Sequence, residues 1–306
     1  MLSLRIMLEY FHPWPNSAGF YLARERGWYA EAGLDVELCV PDPERGDSLQ
    51  HVLQGAAHLS VFPSNRLLVR RDLGQPLRGV AAINHAGLEA FQTLSELGIQ
   101  RPRDLMGKRL AMNPTPRGLA MVRDLVRKDG GDPDAVIIVD AGARELRPEE
   151  LEAGLADASF GGYWAWEALM DSPVAAQRRV VHRVSDWGAP AYHSYLLGAR
   201  EDWIQANAHT LRAFLAATAR GFHCVAEAPA LARAAYERVI PYFPRTLIEQ
   251  SLTHIAPTWL HQNRWGVQRQ ALVEPYAHWL HQHGIVQNPQ AWESAITNDY
   301  LPVEAP

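Results

Sequence analysis

The sequence has few cysteines, no run of basic residues and no long apolar stretch, and each absence excludes a class of function. Only two of its 306 residues are cysteines, Cys39 and Cys224, so a cysteine-rich metal site and a disulfide-dense scaffold are excluded. Whether the two pair depends on geometry, and we favour two buried thiols that act as small apolar residues. The 29 lysines and arginines are dispersed among 34 acidic residues, so nucleic acid is not expected as a partner.

Segments that would place the chain in or across a membrane are also absent. No stretch approaches the ~20 apolar residues that a membrane helix needs. Met1 leads almost directly into the apolar run that starts at Leu4, without the basic segment and cleavage site of an export signal. We expect a periplasmic or extracytoplasmic, membrane-anchored protein if an export signal has been removed, and a cytoplasmic protein otherwise.

Enzyme and nucleotide-binding signatures are missing as well. There is no Gly-x-Ser-x-Gly elbow, no Gly-x-Gly-x-x-Gly after the first predicted strand and no phosphate-binding Gly-x-x-x-x-Gly-Lys loop. His278 and His281 lie three residues apart on a predicted helix, but we favour a half-exposed helix face over a metal site. The sequence therefore predicts no catalytic residue, no metal and no cofactor.

Short apolar segments alternate with amphipathic segments through the first two thirds of the chain. The predicted strands are 4–8, 34–40, 57–62, 80–83, 90–94, 109–112, 136–139, 158–161 and 180–184, and the character of the chain changes after 192–198. The predicted helices are 18–30, 49–54, 64–72, 117–128 and 148–155, followed by a helical tail of 204–227, 229–239, 246–254 and 267–283. This alternation predicts an α/β protein with mostly parallel sheets flanked by helices.

Ligands of such sheets bind beyond the carboxyl ends of the strands, so the loops after the strands are the candidate site. These loops are 9–16, 62–65, 84–87, 113–117 and 161–167. The first one, from Glu9 to Asn16, packs four aromatic rings and two prolines into eight residues. Prolines fix the backbone and the rings offer flat faces for stacking. A rigid hydrophobic plug explains this composition equally well.

Residues 161–167, GGYWAWE, follow a predicted strand and start a helix. The glycines permit close backbone approach, and the carboxylate of Glu167 beside indole rings can accept two hydrogen bonds from an amino-heterocycle. Alternatively Glu167 complements the helix dipole, and Trp164 and Trp166 belong to the core. We favour the binding interpretation because one short turn holds two tryptophans and an acid.

Two further loops place small polar side chains at helix starts, around Ser64 in FPSN and around Thr115 in NPTPR. Free backbone N–H groups at helix starts attract anions and carbonyl oxygens. Ordinary N-capping by Ser64 and Thr115 explains these residues at least as well.

Several segments, taken in order, resemble the thiamine-pyrimidine-precursor family of ABC-transporter substrate-binding proteins, which take hydroxymethylpyrimidine or formylaminopyrimidine. The matching segments are 15–16, 19–23, 27–29, 33–37, 55–62, 105–108, 128–131, 161–167 and 188–192. The resemblance extends to about residue 225, and its most specific part is the Tyr-Trp-x-Trp-Glu stretch that ends at Glu167.

The resemblance implies a periplasmic-binding-protein fold of the second type, with two α/β lobes joined by crossings near residues 84–90 and 186–192. Lobe one is then 1–86 with 190–306, including the helical tail, and lobe two is 87–189, with the ligand cleft between them. The implied function is the solute-binding component of an ABC importer. The implied partners are a small aromatic heterocycle of the aminopyrimidine class and a transporter permease, and we expect a monomer.

In that family the acid equivalent to Glu167 contacts the pyrimidine, and rings from the first loop and the hinge sandwich it. With the polar residues of the other strand-end loops, the candidate ligand-binding set is Glu9, Tyr10, Trp14, Asn16, Phe62, Ser64, Asn84, Asn113, Thr115, Trp164, Glu167 and Tyr192. Two departures from the family pattern reshape the pocket: Ser17-Ala18 stands where members commonly carry a histidine, and Glu9 replaces a frequent aspartate.

Three alternatives stay open at this point. One branch of the family consists of cytoplasmic pyrimidine-precursor synthases, and it is disfavoured because its cysteine-rich motif is absent here. Other relatives bind riboflavin or sulfonates. A cytoplasmic ligand sensor is the third alternative.

Overall fold

The computed structural model describes residues 1–10, 13–142, 144–162 and 172–303. Contacts divide the chain into two units. Unit one is Met1–Ala86 with Tyr192–Pro306, and unit two is Gly87–Ala191. Each unit contains its own five-stranded sheet.

The strands are β1 (Leu2–Met7), β2 (Leu34–Cys39), β3 (Leu59–Pro63), β4 (Leu77–Ala82), β5 (Glu89–Leu94), β6 (Arg109–Met112), β7 (Ile137–Asp140), β8 (Ala158–Gly162), β9 (Arg179–Arg183), β10 (Tyr195–Arg200), β11 (Leu260–His261) and β12 (Arg264–Trp265). The helices are α1 (Ala18–Glu25), α2 (Trp28–Glu31), α3 (Ser48–Leu53), α4 (Ser64–Asp72), α5 (Pro116–Lys128), α6 (Pro148–Glu152), α7 (Glu201–Ala206), α8 (Ala208–Glu227), α9 (Ala230–Val239), α10 (Arg245–Ile255) and α11 (Gln270–Gln282). Among the residues that the structure describes, no helix is long and apolar enough to cross a membrane.

The unit-one sheet has the strand order β2-β1-β3-β10-β4. β1 pairs parallel with β2 and β3, whereas β10 is antiparallel to both β3 and β4. β4 therefore runs in the same direction as β3, and β10 alone among the five runs the opposite way. A parallel neighbour needs a crossover helix, and β10 has none because the chain reaches it from unit two.

The unit-two sheet follows the same plan, with the order β7-β6-β8-β5-β9. β6 is parallel to β7 and β8, and β5 is antiparallel to β8 and β9. The reversed strand is again the first one after the chain enters the unit. The predicted α/β architecture with mostly parallel sheets and a helical tail is confirmed.

Local backbone conformation divides two helices that the hydrophobic pattern predicts as continuous. The predicted helix 18–30 is interrupted at Gly27, whose φ of 76° is left-handed. The predicted helix 204–227 is interrupted at Asn207, where φ is −124°. The hydrophobic stripe continues across both breaks, so periodicity alone does not show them.

The hairpin of β11 and β12 is missing from the sequence-based prediction. Its two-residue turn is Gln262-Asn263, with φ values of 50° and 55°. Two successive positive φ angles are those of a type I′ turn, for which Asn-Gly is the usual signal. Glutamine at the first position hides that signal.

Glycines bring α1 and α8 unusually close together. A Cβ atom on Gly221 would lie 2.1 Å from the carbonyl oxygen of Gly19, and a Cβ on Gly19 would lie 2.2 Å from the Phe222 ring. Both distances are well below van der Waals contact, so only glycine fits at either position. Because α1 follows the first loop, this crossing fixes where that loop ends.

The two cysteines do not form a disulfide. Cys39 and Cys224 are free thiols, each partly buried. Burial raises the pKa of the Cys39 thiol to about 11, which makes it a poor nucleophile at neutral pH. Both thiols are less buried than the sequence suggested.

Candidate functional site

The carboxyl ends of β1, β3 and β4 lie at one edge of the unit-one sheet, where the antiparallel β10 begins. Tyr195, the first residue of β10, pairs with Pro63 at the end of β3. Leu196 pairs with Ala82 at the end of β4. The residues that follow the three strands and precede β10 therefore meet at what we call the strand-end edge. Its polar side chains are those of Glu9, Ser64, Asn84, His85, His193 and Ser194.

A chain of buried hydrogen bonds joins this edge to the first loop and to the helical tail. Asn84 Nδ2 donates to Asn16 Oδ1 at 3.0 Å and to Thr258 Oγ1 at 2.9 Å. The Thr258 hydroxyl in turn donates to the carbonyl oxygen of Ile255 at 2.7 Å. Both asparagines are fully buried. The structure thus brings together two residues that the sequence nominates, and it adds Thr258, which the sequence does not.

Several buried polar atoms at or beside the strand-end edge have no hydrogen-bond partner among the residues that the structure describes. They are Glu9 Oε1, Asn16 Nδ2, Ser60 Oγ, Ser64 Oγ, Asn84 Oδ1 and both ring nitrogens of His85. Buried polar atoms are normally hydrogen-bonded, and leaving one unpaired costs about 1–3 kcal/mol. A group of such atoms at the carboxyl ends of strands is typical of a surface that binds a polar ligand.

Glu9 is half-buried as a residue, but its Oε1 is inaccessible to solvent. Burial raises its pKa to about 7, and polar groups of its own backbone and of Asn16 oppose only part of that shift. The phenols of Tyr21 and Tyr236 face the same region, and burial raises the pKa of Tyr21 to about 12. Glu9 is therefore partly ionised at neutral pH, and a ligand that donates an N–H to it would favour the ionised form.

His193 is held in one tautomer by its two neighbours. Its Nε2 accepts a hydrogen bond from the backbone N–H of Arg269 at 2.9 Å, so its proton lies on Nδ1. Nδ1 then donates to the carbonyl oxygen of Asn84 at 2.8 Å. Burial lowers the pKa of His193 to about 4, so the ring is neutral at physiological pH.

His85 lies beside His193 and His261, with ring centroids 5.2 and 5.7 Å away. Burial, reinforced by these two histidines, lowers its pKa to about 3, so its imidazole is a neutral polar group. No set of side chains in residues 1–10, 13–142, 144–162 and 172–303 has the arrangement of a metal site. Sequence reasoning missed His85, although the loop 84–87 was among those expected to meet a ligand.

The aromatic rings of the first loop contact each other. The Tyr10 and Trp14 rings have centroids 4.3 Å apart and planes inclined by 45°. Trp14 is 7% exposed, and its carbonyl oxygen accepts hydrogen bonds from the Ser17 backbone and the Tyr236 hydroxyl. Phe11 and His12 lie outside the described residues. Asn16 does not cap α1, because its side chain accepts a hydrogen bond from Asn84.

Three other nominated residues of unit one lie in the protein interior. Phe62 is fully buried in β3, and Tyr192 is stacked on Tyr276 with centroids 4.6 Å apart. Ser64 is the first residue of α4, but Pro63 is the N-cap and the serine hydroxyl makes no capping bond. The N-capping interpretation is therefore wrong for Ser64, whose hydroxyl stays unpartnered.

In unit two the N-capping interpretation is correct. Thr115 Oγ1 accepts a hydrogen bond from the backbone N–H of Gly118 at 3.1 Å and caps α5. Asn113 and Thr115 are both exposed. The other two nominated residues of this unit, Trp164 and Glu167, lie outside the described residues.

Several charged side chains that the sequence did not nominate lie at the end of β8. Glu145 Oε1 accepts a hydrogen bond from Gly162 N at 2.8 Å, and its carboxylate covers Gly161, where a Cβ would lie 2.3 Å away. Glu89, which pairs with Gly162 in the sheet, forms an ion pair with Arg117. Glu145 lies in the connection between β7 and α6, where no motif marks it.

Comparison with known proteins identifies the family. Residues 14–232, most of the chain, match the NMT1/THI5-like family. The chain belongs to that family. This confirms the resemblance to pyrimidine-precursor binding proteins. A formylaminopyrimidine-binding protein from Halalkalibacterium halodurans is 26% identical over 97% of this chain and 90% of its own length.

Solved structures show the same fold at lower identity. The periplasmic aliphatic sulphonate binding protein SsuA from Escherichia coli aligns over 98% of this chain and 99% of its own, with a TM-score of 0.74 and 15% identity. The desulfurization enzyme DSZB aligns over 98% of this chain and 97% of its own, with a TM-score of 0.64 and 12% identity. The chain therefore has the periplasmic-binding-protein fold, which supports both binding proteins and an enzyme.

Proposed function

We propose that this protein is the solute-binding component of an ABC importer and that its ligand is a thiamine-precursor aminopyrimidine or a related aromatic heterocycle. Three observations support the proposal: family membership, similarity to a formylaminopyrimidine-binding protein along nearly the whole chain, and the periplasmic-binding-protein fold. The observation that carries the choice of ligand is the set of unpartnered atoms at the strand-end edge.

Those atoms have a definite hydrogen-bonding pattern. Asn16 Nδ2 is a donor, Asn84 Oδ1 is an acceptor, and Glu9 Oε1 is an acceptor when the carboxyl is ionised. An aminopyrimidine edge offers a ring nitrogen that accepts and an amino group that donates, so it complements this pattern. A sulfonate only accepts, and it would be repelled by ionised Glu9. The pattern therefore favours an aminopyrimidine over a sulfonate.

The resemblance predicts that Trp164 and Glu167 contact the same ligand, with Tyr10 or Trp14 stacked on the ring. An aromatic stack contributes about 0.5–1.5 kcal/mol beyond area burial. A hydrogen bond to a charged group contributes about 1.5–3 kcal/mol. A few such contacts, together with burial of the ring, suffice for micromolar or tighter affinity.

In this proposal the protein binds its ligand without chemical change, outside the cytoplasm, and delivers it to a permease. The nominated side chains serve as hydrogen-bonding and stacking groups, and none acts as a nucleophile or general base. Glu9, with a pKa raised to about 7, acts as a hydrogen-bond acceptor for the ligand.

A thermal-shift panel tests the proposal against its alternatives. The purified protein is heated with hydroxymethylpyrimidine, formylaminopyrimidine, riboflavin, an alkanesulfonate or pyridoxal phosphate. A ligand at 100 times its dissociation constant stabilises a protein by about 2.7 kcal/mol, which moves the melting temperature by several degrees. We expect this shift with the aminopyrimidines alone. Stabilisation by pyridoxal phosphate would favour a synthase-like protein. Stabilisation by riboflavin or a sulfonate would show that the ligand belongs to that class and is not an aminopyrimidine.

A further inference from the structure

The hydroxyl of Thr258 has a fixed hydrogen-bonding role. Thr258 ends a short 3₁₀ helix, Ala256–Thr258, that follows α10, and it is 8% exposed. Its Oγ1 lies 2.7 Å from the carbonyl oxygen of Ile255, which can only accept. The single hydroxyl hydrogen is therefore used there, and Oγ1 can only accept from any other neighbour.

This role determines how the amide of Asn84 is oriented. The amide atom 2.9 Å from Thr258 Oγ1 must be a donor, so it is Nδ2 and not Oδ1. The same Nδ2 lies 3.0 Å from an atom of Asn16, which must then be the acceptor Oδ1. Asn84 Oδ1 and Asn16 Nδ2 then have no hydrogen bond of normal length to a described residue, although Asn16 lies close enough to Glu9 to lower the pKa of that carboxyl. The accepting carbonyl of Ile255 thus fixes the direction of each hydrogen bond along the chain from Thr258 through Asn84 to Asn16.

Shape alone does not enforce this orientation. The oxygen and nitrogen of a side-chain amide are nearly the same size, and a half-turn exchanges them. The backbone of Asn84 is anchored separately, because its carbonyl accepts from His193 at 2.8 Å. If both amides turned together, the Asn16–Asn84 hydrogen bond would survive with its direction reversed. Asn84 would then offer a donor and Asn16 an acceptor.

We propose that Thr258 is a specificity-determining residue, which fixes the orientation of Asn84 and Asn16 so that the site selects an amino-heterocycle over its oxo counterpart. This inference rests on the proposed function. An aminopyrimidine presents an accepting ring nitrogen beside a donating amino group, whereas a pyrimidinone presents a donating ring N–H beside an accepting oxygen. A mismatch leaves buried polar groups unpaired, and sites of this kind reject such analogues strongly.

The test is a calorimetric titration with two probes that differ at one position, 4-amino-5-hydroxymethyl-2-methylpyrimidine and the corresponding 4-oxo compound. We expect the wild type to bind the amino compound at least tenfold more tightly. Thr258→Val keeps the shape of the side chain but removes the hydroxyl, and the ratio of the two affinities should narrow at least fivefold. The ratio should not fall to one, because ionised Glu9 near Asn16 favours the same orientation. Thr258→Ser keeps the hydroxyl and should keep the wild-type ratio.

The variants separate selectivity from folding. If Thr258 had only a structural role, Thr258→Val would lower the affinity for both probes equally. The ratio of the two affinities would then stay unchanged, and this result would overturn the inference. Thr258→Ala provides the same comparison if the valine variant fails to fold. A wild type that binds both probes equally would overturn the inference but not the proposed function, whereas a wild type that binds neither would overturn the proposed function itself.

Discussion

Asn84 donates a hydrogen bond to Asn16 at 3.0 Å, although 68 residues separate the two along the chain. The bond joins the loop after β4 to the loop after β1 and leaves one donor, Asn16 Nδ2, unpartnered in a buried position. In the proposed site, that donor is the atom of the pair that would meet an accepting ring nitrogen of the ligand. Ligand recognition at this site therefore requires an amide at Asn16.

Asn16→Asp replaces this donor with an acceptor of the same shape. Asn84 can still donate to the aspartate, but the N–H for the ligand is lost and a second carboxyl lies near Glu9. We expect aminopyrimidine affinity to fall tenfold or more, about 1.4 kcal/mol, as measured by calorimetry. Asn288→Asp is the matched control, since Asn288 is exposed at an N-cap where aspartate serves equally well. A folded Asn16→Asp protein with wild-type affinity would remove Asn16 from the site.

Glu9 makes the stability of the folded protein depend on pH. Its pKa is raised from 4.5 to about 7, so the folded state binds this proton more tightly than the unfolded chain does. The stabilisation is fully present below pH 4.5 and is lost as the pH rises through 7. We expect the wild type to lose on the order of 2 kcal/mol relative to Glu9→Gln between about pH 5 and pH 8.

Urea unfolding of both proteins across this pH range provides the measurement. Glu37→Gln is the control, because Arg5 lowers the pKa of the exposed Glu37 carboxyl and moves its titration below this range. A constant difference between wild type and Glu9→Gln from pH 5 to pH 8 would show that Glu9 has an ordinary pKa.

The close crossing of α1 and α8 predicts that Gly221→Ala destabilises the protein. Helix propensity alone favours alanine by about 1 kcal/mol. The new Cβ, however, would lie 2.1 Å from Gly19 O, and forcing extra atoms into a packed contact costs about 1–3 kcal/mol or more. We expect a net loss in the free energy of unfolding. Ala216→Gly, at an exposed position of the same helix, should cost only the propensity difference. An increase in stability for Gly221→Ala would contradict the crossing.

Glu167 is the acid that the family resemblance assigns to the pyrimidine. Glu167→Gln keeps the shape but removes the charge, so we expect at least a tenfold weaker aminopyrimidine affinity, about 1.4 kcal/mol. Glu152→Gln, an exposed acid on α6, should bind as the wild type does. If calorimetry gives the same affinity for Glu167→Gln and wild type, the charge of Glu167 does not contribute to ligand binding. Either the glutamine side-chain oxygen accepts the hydrogen bond equally well, or Glu167 does not contact the ligand.

Hydrophobic patterning predicts most strands of this protein, because apolar residues mark them either as a run, as in β3, or in alternation, as in β2. It does not predict strand direction. Nothing in the residues of β5 and β10 marks these strands as reversed. Each is the first strand after the chain enters its unit, and each runs antiparallel to its neighbours. The direction of a strand in its sheet depends on how the chain connects the strands, and a short segment of sequence does not contain that information.

Some residues of the candidate site could likewise be predicted from the sequence, and others could not. Asn16 and Asn84 are predictable because polar residues follow the strand ends, where ligands of α/β sheets bind. Thr258 is not, because it reaches Asn84 across 174 residues and lies in a helical tail with no motif. Phe62 and Tyr192 are nominated for their aromatic rings, and only packing shows that both rings lie in the interior.

The most direct test of the central claim is the dissociation constant of an aminopyrimidine compared with that of a sulfonate. Wild-type protein is titrated by calorimetry with 4-amino-5-hydroxymethyl-2-methylpyrimidine and, separately, with ethanesulfonate. The donor and acceptor pattern of Asn16, Asn84 and Glu9 predicts one aminopyrimidine per chain with micromolar or tighter affinity, and sulfonate binding at least 100-fold weaker, about 2.7 kcal/mol. Sulfonate binding as tight as that of the aminopyrimidine, or no heat with the aminopyrimidine, would contradict the account.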